Sequence, residues 1–267
     1  MQIKHAVMFL LISGLSLNGM AQTPLGMAFT NMKSSDPAVA KKAKDGLAML
    51  LVQEMPTIEK DTAMLCSALS DADPYIRLQA SGVLQTIVLA APQHNQVVLA
   101  CTSELITAAK DSTDRIRNNA LFALAMNPSG PPKEAHAAFV DALDSANFRT
   151  SEIGAAGLIK ERSNVETNHG LVEKALDAAP DAKHRLNLLY AISGSKVHSE
   201  TLFEGTQKYL NDPNPDVQHA AIDAVAETGT DISKITIVMQ NLEASSSASM
   251  QQKKHAQAVL NNLASRQ

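Results

Sequence analysis

Small and aliphatic residues recur along this chain at a spacing that selects one kind of element. Three segments show it most clearly: DPYIRLQASGVL from Asp73, TDRIRNNALFAL from Thr113 and NPDVQHAAIDAV from Asn214. In each, a polar residue is followed three positions on by an aliphatic one, four later by a small one, and four later again by an aliphatic one. Offsets of three and four place these side chains on one face of a helix. The small position continues through the chain as Ala43, Ala80, Ala120, Gly154, Leu188, Ala221 and Ala256, at steps of 37, 40, 34, 34, 33 and 35 residues by subtraction. A period of this length marks stacked supersecondary units. Four positions further on stand Leu47, Leu84, Leu124, Leu158, Ile192, Val225 and Leu260. Three positions further on, Gly46, Val83, Ala123, Gly157, Ala191, Ala224 and Val259 are small enough for a neighbouring helix to approach closely.

A row not used to set this frame tests it. Seven positions before the small residue lie Asp36, Asp73, Thr113, Asn147, Asp181, Asn214 and Ser249. All are good N-cap residues, whose side-chain oxygens accept from the unpaired amides of a first helical turn. Pro37, Pro74 and Pro215 follow directly, at a position where proline forfeits no helical hydrogen bond. Each unit also needs a first helix, and the candidates are 24–33, 57–70, 95–110, 131–143, 165–179, 197–210 and 232–244. Breakers separate them, notably Asn127-Pro-Ser-Gly-Pro-Pro and Ser193-Gly194-Ser195. The Ser245–Ser249 stretch reads as a helix-to-helix loop or a frayed end.

The opening Asp73-Pro74-Tyr75-Ile76-Arg77-Leu78-Gln79-Ala80 resembles the D-P-x-V-R-x-x-A start of the second helix in the HEAT repeat family. The resemblance covers essentially the whole chain after its first residues. It implies an all-α fold: an α-α superhelix, a right-handed solenoid of about seven HEAT-like helical hairpins forming one domain over residues 22–267. Repeats four, five and seven depart from the motif, with Thr150, His184 and Gln252 where an aliphatic residue belongs. Their boundaries stay open by several residues.

Composition agrees with close helix packing. Hydrophobic residues make up 45% of the chain but aromatics only 3%, with no Trp, so the core must be aliphatic and small. The net charge of -4 and the absence of a basic run exclude the usual footprint of a nucleic-acid binder. Residues 1–21 read as a signal peptide, with Lys4, an apolar run from Ala6 to Leu17, and Gly19-Met20-Ala21 as a cleavage site before Gln22. That run is too short to span a bilayer as a helix, and no second long apolar run follows. Removing it with Lys4 takes the net charge from -4 to -5. The chain is therefore expected to be exported, to the periplasm or beyond, with no membrane span once cleaved. Cys66 and Cys101 fall on first helices of adjacent repeats but offset by more than a turn, so two buried free thiols are expected.

Candidate chemistry is sparse. After the aliphatic row come Arg77, Arg117, Arg185 and Lys253, readable either as a stripe for an acidic partner or as a ladder of ion pairs to loop Asp residues of stacked neighbours, for instance Arg117 to Asp73. The ladder is favoured because adjacent free arginines would repel. The row before the small residue is mostly polar and is assigned to the open face of the second helices, the usual binding surface of a solenoid. Gln79 and Asn119, with Phe122 one turn on, form the expected partner-binding site; the alternative for Phe122 is packing between helices. His184, His219 and His255 fall in different rows, and no His pair stands at the spacing of a zinc helix. The His-Glu steps of iron-binding HEAT-like hydroxylases are missing, and no nucleophile elbow, P-loop or dinucleotide glycine pattern occurs. The function expected is a non-catalytic protein-binding scaffold without cofactor or metal, its partner a protein; the alternative is a HEAT-like lyase, or another enzyme or accessory subunit, acting on a bound ligand or chromophore.

The register has a measurable consequence. Truncating Leu84 or Leu124 to Ala is expected to lower the unfolding free energy in denaturant by roughly 2 to 5 kcal/mol. A loss below about 0.5 kcal/mol would place these residues on the surface and the register in error.

Overall fold

All seven polar residues picked out by spacing cap a helix. In the computed structural model, which describes residues 23–265, Asp36, Asp73, Thr113, Asn147, Asp181, Asn214 and Ser249 are the N-caps of the second helices. Six accept a first-turn amide, and Ser249 forms a full capping box with Gln252. The Thr113 side chain makes no such bond. The expected signal peptide, residues 1–21, lies outside the described residues.

The chain is a row of helical hairpins. The first repeat pairs α1 (Pro24–Met32) with α2 (Pro37–Glu54). The second has α3 (Thr62–Ala68) and α4 (Pro74–Ala90), the third α5 (Asn95–Ala100), α6 (Thr102–Ala108) and α7 (Asp114–Ala125). The fourth has α8 (His136–Leu143) and α9 (Phe148–Lys160), the fifth α10 (Val165–Asp177) and α11 (Ala182–Ser195). The sixth has α12 (Glu200–Gln207) and α13 (Pro215–Thr228), the seventh α14 (Ile232–Ala244) and α15 (Met250–Ala264). No strand occurs among the described residues, and the whole is an all-α solenoid. First helices are less regular than the spacing implies. Those of repeats two, three and four open in 3-10 turns at Met55–Asp61, Pro92–His94 and Lys133–Ala135, and that of repeat six closes in one at Lys208–Asn211.

The rows read from the sequence form the core. Ala80, Ala120, Ala221 and Ala256 are fully buried, as are Leu84, Leu158, Ile192 and Val225. Where the aliphatic row turns polar, the polar group ties back to the preceding repeat. Thr150 Oγ1 donates to Asn118 Oδ1 at 2.7 Å, and Gln252 Nε2 donates to the Leu210 carbonyl at 2.9 Å. His184 Nε2 lies 3.1 Å from the Ala146 carbonyl. A buried polar side chain is tolerated only when bonded, and here each bond crosses a repeat boundary. Gly154 has a different reason: a Cβ there would lie 2.7 Å from the Leu143 amide nitrogen and 2.8 Å from the Phe139 carbonyl. Helices α8 and α9 touch backbone to backbone at this point.

The arginine row is a ladder, but it runs forward, not backward as expected. Arg77 Nε donates to Asp111 Oδ2 at 2.7 Å, and Arg185 Nε to Asp212 Oδ2 at 2.8 Å, each in the next repeat's hairpin turn. The same aspartates accept from the amides of Thr113 and Asn214, so one carboxylate fixes its own turn and anchors its neighbour. Burial alone would raise the Asp111 carboxyl, but its bonds from Arg77 and Thr113 hold it below the ordinary value. Arg117 does not reach Asp73. It pairs with Asp114 on its own helix and donates to the Asp111 carbonyl, because repeat four offers Ser145 where the turn aspartate would stand.

The cysteines are a second correction. Cys66 and Cys101 form a disulfide with Cα atoms 4.9 Å apart, not two free thiols. The expectation assumed straight first helices. The third repeat's first helix instead breaks at Cys101 (φ -97°, ψ 17°), the junction of α5 and α6. The break sets its sulfur 3.8 Å from the Thr62 carbonyl, alongside the first turns of α3.

Two measurements follow from this packing. Gly154→Ala is expected to destabilise the chain by about 1 to 3 kcal/mol in denaturant, since backbone cannot yield as a flexible side chain would. Reduction of a bridge spanning 35 positions is expected to remove roughly 2 to 4 kcal/mol; an unchanged midpoint with and without reductant would refute that contribution.

Candidate functional site

Successive second helices α4, α7, α9, α11 and α13 stack directly on one another, whereas first helices such as α10 and α12 meet more lightly. The second helices therefore line the tighter, inner side of the solenoid. At its N-terminal end the stacking opens: α2 buries only Leu47, and a groove of about 330 Å³ runs between α2 and α4 to the start of α7. Its apolar floor is Leu47, Ala48, Leu51, Leu78 and Val83. Its polar rim is Lys44, Gln79, Gln85, Thr86, Arg115 and Asn119. No carboxylate lines it, so the groove carries two cations and four neutral polar groups.

The expected site residues fare differently. Gln79 is half-buried on the rim. Asn119 reaches the same groove but is 8% exposed, its Nδ2 donating to Ser81 Oγ at 3.3 Å. That bond links α4 to α7, so Asn119 fixes the groove's shape more than it offers a free amide. Phe122 packs against the core and does not line the groove, which is the alternative reading of that residue.

Lys44 and Arg115 were not singled out by sequence. Each adjoins a core position, Ala43 and Ile116, and helical patterning alone leaves such residues as ordinary solvated charges. What makes them a pair is the gap between α2 and α4, which the repeat frame does not encode. Lys44 Nζ lies 4.4 Å from the centre of the Tyr75 ring, a cation-π contact that holds it over α4. Two of the histidines weighed as metal ligands are occupied locally: His255 Nε2 is 2.8 Å from Asp223, and His184 Nδ1 is 2.9 Å from Asp181. Among the described residues, no three metal-ligating side chains converge.

Comparison with solved structures places this architecture. The chain is similar to a HEAT-like repeats protein from the archaeon Thermococcus onnurineus, with TM-score 0.53, 17% identity, and 93% of this chain and 99% of that one covered. It is also similar to an engineered protein at TM-score 0.56 and 20% identity, covering 90% of this chain and 68% of that one. A designed armadillo repeat protein, solved in complex with the peptide (KR)4, aligns at TM-score 0.50 and 18% identity over 90% of this chain and the whole of the other. No family model matches the sequence, and no curated protein does. The protein has the fold of the HEAT-like and armadillo repeat solenoids. Among the described residues no helix is long and apolar enough to cross a membrane.

Proposed function

We propose that the chain is an exported, non-catalytic scaffold whose groove between α2 and α4 holds an extended, acidic segment of a protein partner. The observation that carries the reading is the groove's chemistry: an apolar floor, amide and hydroxyl groups able to meet a peptide backbone, and cations Lys44 and Arg115 without a lining carboxylate. Solenoids present such grooves to extended ligands, and complementary charge selects among them. The designed armadillo neighbour is in complex with a basic peptide; the cations here select the opposite sign. Export after cleavage near Ala21, to the periplasm or the medium, rests on the composition of residues 1–21. The Cys66–Cys101 bridge supports it, because such bridges persist in oxidising compartments.

The test uses residues 22–267 and two peptides of equal length, one rich in Glu and one rich in Lys. The acidic peptide is expected to bind more tightly, with affinity falling as salt rises. Reversing both charges, Lys44→Glu with Arg115→Glu, is expected to weaken it by about tenfold or more, since each desolvated pair contributes on the order of 1 kcal/mol. Preference for the basic peptide, or indifference to the double reversal, would overturn the assignment.

A further inference from the structure

A second cavity, unconnected with the groove, lies on the edge of the solenoid where second helices turn into the next first helices. It measures about 590 Å³ and is shared by three successive turns: those after α7, after α9 and before α12. This is the volume range of small-molecule sites. The apolar half of its wall is built from Met126, Pro128, Pro131, Ile159, Val165 and Val197. Two of the turns contain left-handed residues outside glycine, Asn164 at φ 54° and Lys196 at φ 52°. The third contains Gly130 at φ 92°.

The other half is polar: Asn127, Lys160, Glu161, His169, the exposed Arg162, and His198, whose Nδ1 lies 3.0 Å from the Gly229 carbonyl. Asn127 is 5% exposed; its Oδ1 accepts from the Ser129 amide at 2.9 Å, which fixes the amide, and its Nδ2 has no acceptor. His169 is 2% exposed with Nδ1 2.8 Å from Ser199 Oγ. Ser199 Oγ also accepts from the Leu202 amide and keeps a second lone pair and its own proton, so it can serve either tautomer of the ring. The other ring nitrogen, Nε2, has no hydrogen-bond partner. Burial holds the ring below its ordinary pKa against weaker opposition from the Ile159 carbonyl and Glu166. Lys160 is half-buried, with Met126 Sδ at 2.9 Å as its hydrogen-bond partner, and burial lowers its pKa. The one lining carboxylate, Glu161, is committed to His136, Ser163 and Asn168. The buried acceptor without a partner nearby, Asn168 Oδ1, does not line the cavity.

A half-buried ammonium and an orphaned amide N–H beside an apolar wall, with the Arg162 guanidinium on the exposed side, call for a ligand with one negative acceptor group and an apolar body. We infer that this cavity binds a carboxylate attached to a short aliphatic group, whether the C-terminus of a peptide or a free aliphatic acid, with Lys160 as its principal counter-charge.

Calorimetric titration with three probes tests this: the tripeptide Ala-Ala-Leu with a free carboxylate, the same tripeptide as its C-terminal amide, and 4-methylpentanoate. The free-acid tripeptide is expected to bind, and its amide to bind about tenfold more weakly or worse, since a charge-assisted bond is lost. Comparable binding of 4-methylpentanoate assigns the site to free acids, and its failure beside a binding tripeptide assigns it to peptide termini. Lys160→Met, which keeps the buried stem, is expected to weaken binding by about tenfold while the unfolding midpoint stays near the parent value, and Lys160→Arg to restore most of it. Equal affinity for acid and amide, no heat from either acid at millimolar concentration, or full affinity in a folded Lys160→Met protein would each overturn the inference. The Lys44 and Arg115 reversal is remote from this cavity and is expected to leave all three titrations unchanged.

Discussion

A helical hairpin with apolar residues on both flanks cannot remove them from water by itself, and every feature of this chain answers to that constraint. With 3% aromatics, only a few large side chains, such as Phe29, Phe139 and Phe203, are buried. Burial comes mostly from many close approaches between Ala, Gly, Val and Leu, among them the backbone contact at Gly154. Stability is then a sum over neighbour interfaces. Bonds that cross those interfaces do disproportionate service, because they fix register where aliphatic surfaces alone would slide. The turn aspartates Asp111 and Asp212, the polar replacements Thr150 and Gln252, and the Cys66–Cys101 bridge all have this role.

Repeat architecture was legible because its cause is local. Capping and the three-four spacing depend on residues within one or two turns, so all seven caps could be placed from the chain alone. Even the repeats that depart from the family motif kept their frame, since Thr150, His184 and Gln252 replace an apolar contact with a bond in the same direction. What could not be read depends on how one repeat is rotated and broken against the next. Cys66 and Cys101 are out of register on straight helices and in register once the helix breaks at Cys101. Arg117 carries the ladder's residue, but whether it pairs outward depends on residue 145, where Ser stands in place of Asp.

Site residues show the same division. Of the polar row, Ile153 and Ala220 are buried, while Gln79 and Asn119 share a groove. Their roles were not separable, because exposure of Asn119 is decided by Ser81 on another helix. The cavity at the turns was hidden more deeply. Its Asn127-Pro-Ser-Gly-Pro-Pro border reads as a helix breaker, and only the folded chain brings it beside Lys160 and His169.

Helix α2 forms one wall of the groove and buries little more than Leu47, while α4, the opposite wall, belongs to the repeat stapled to its successor through Cys66. The two walls are thus unequal in freedom: a loose jaw faces a clamped one. Helix α1 stays anchored through buried Leu25, Phe29 and Met32 and the Lys33–Asp71 pair, so slack in the groove's width falls on α2 and not on the stack beyond.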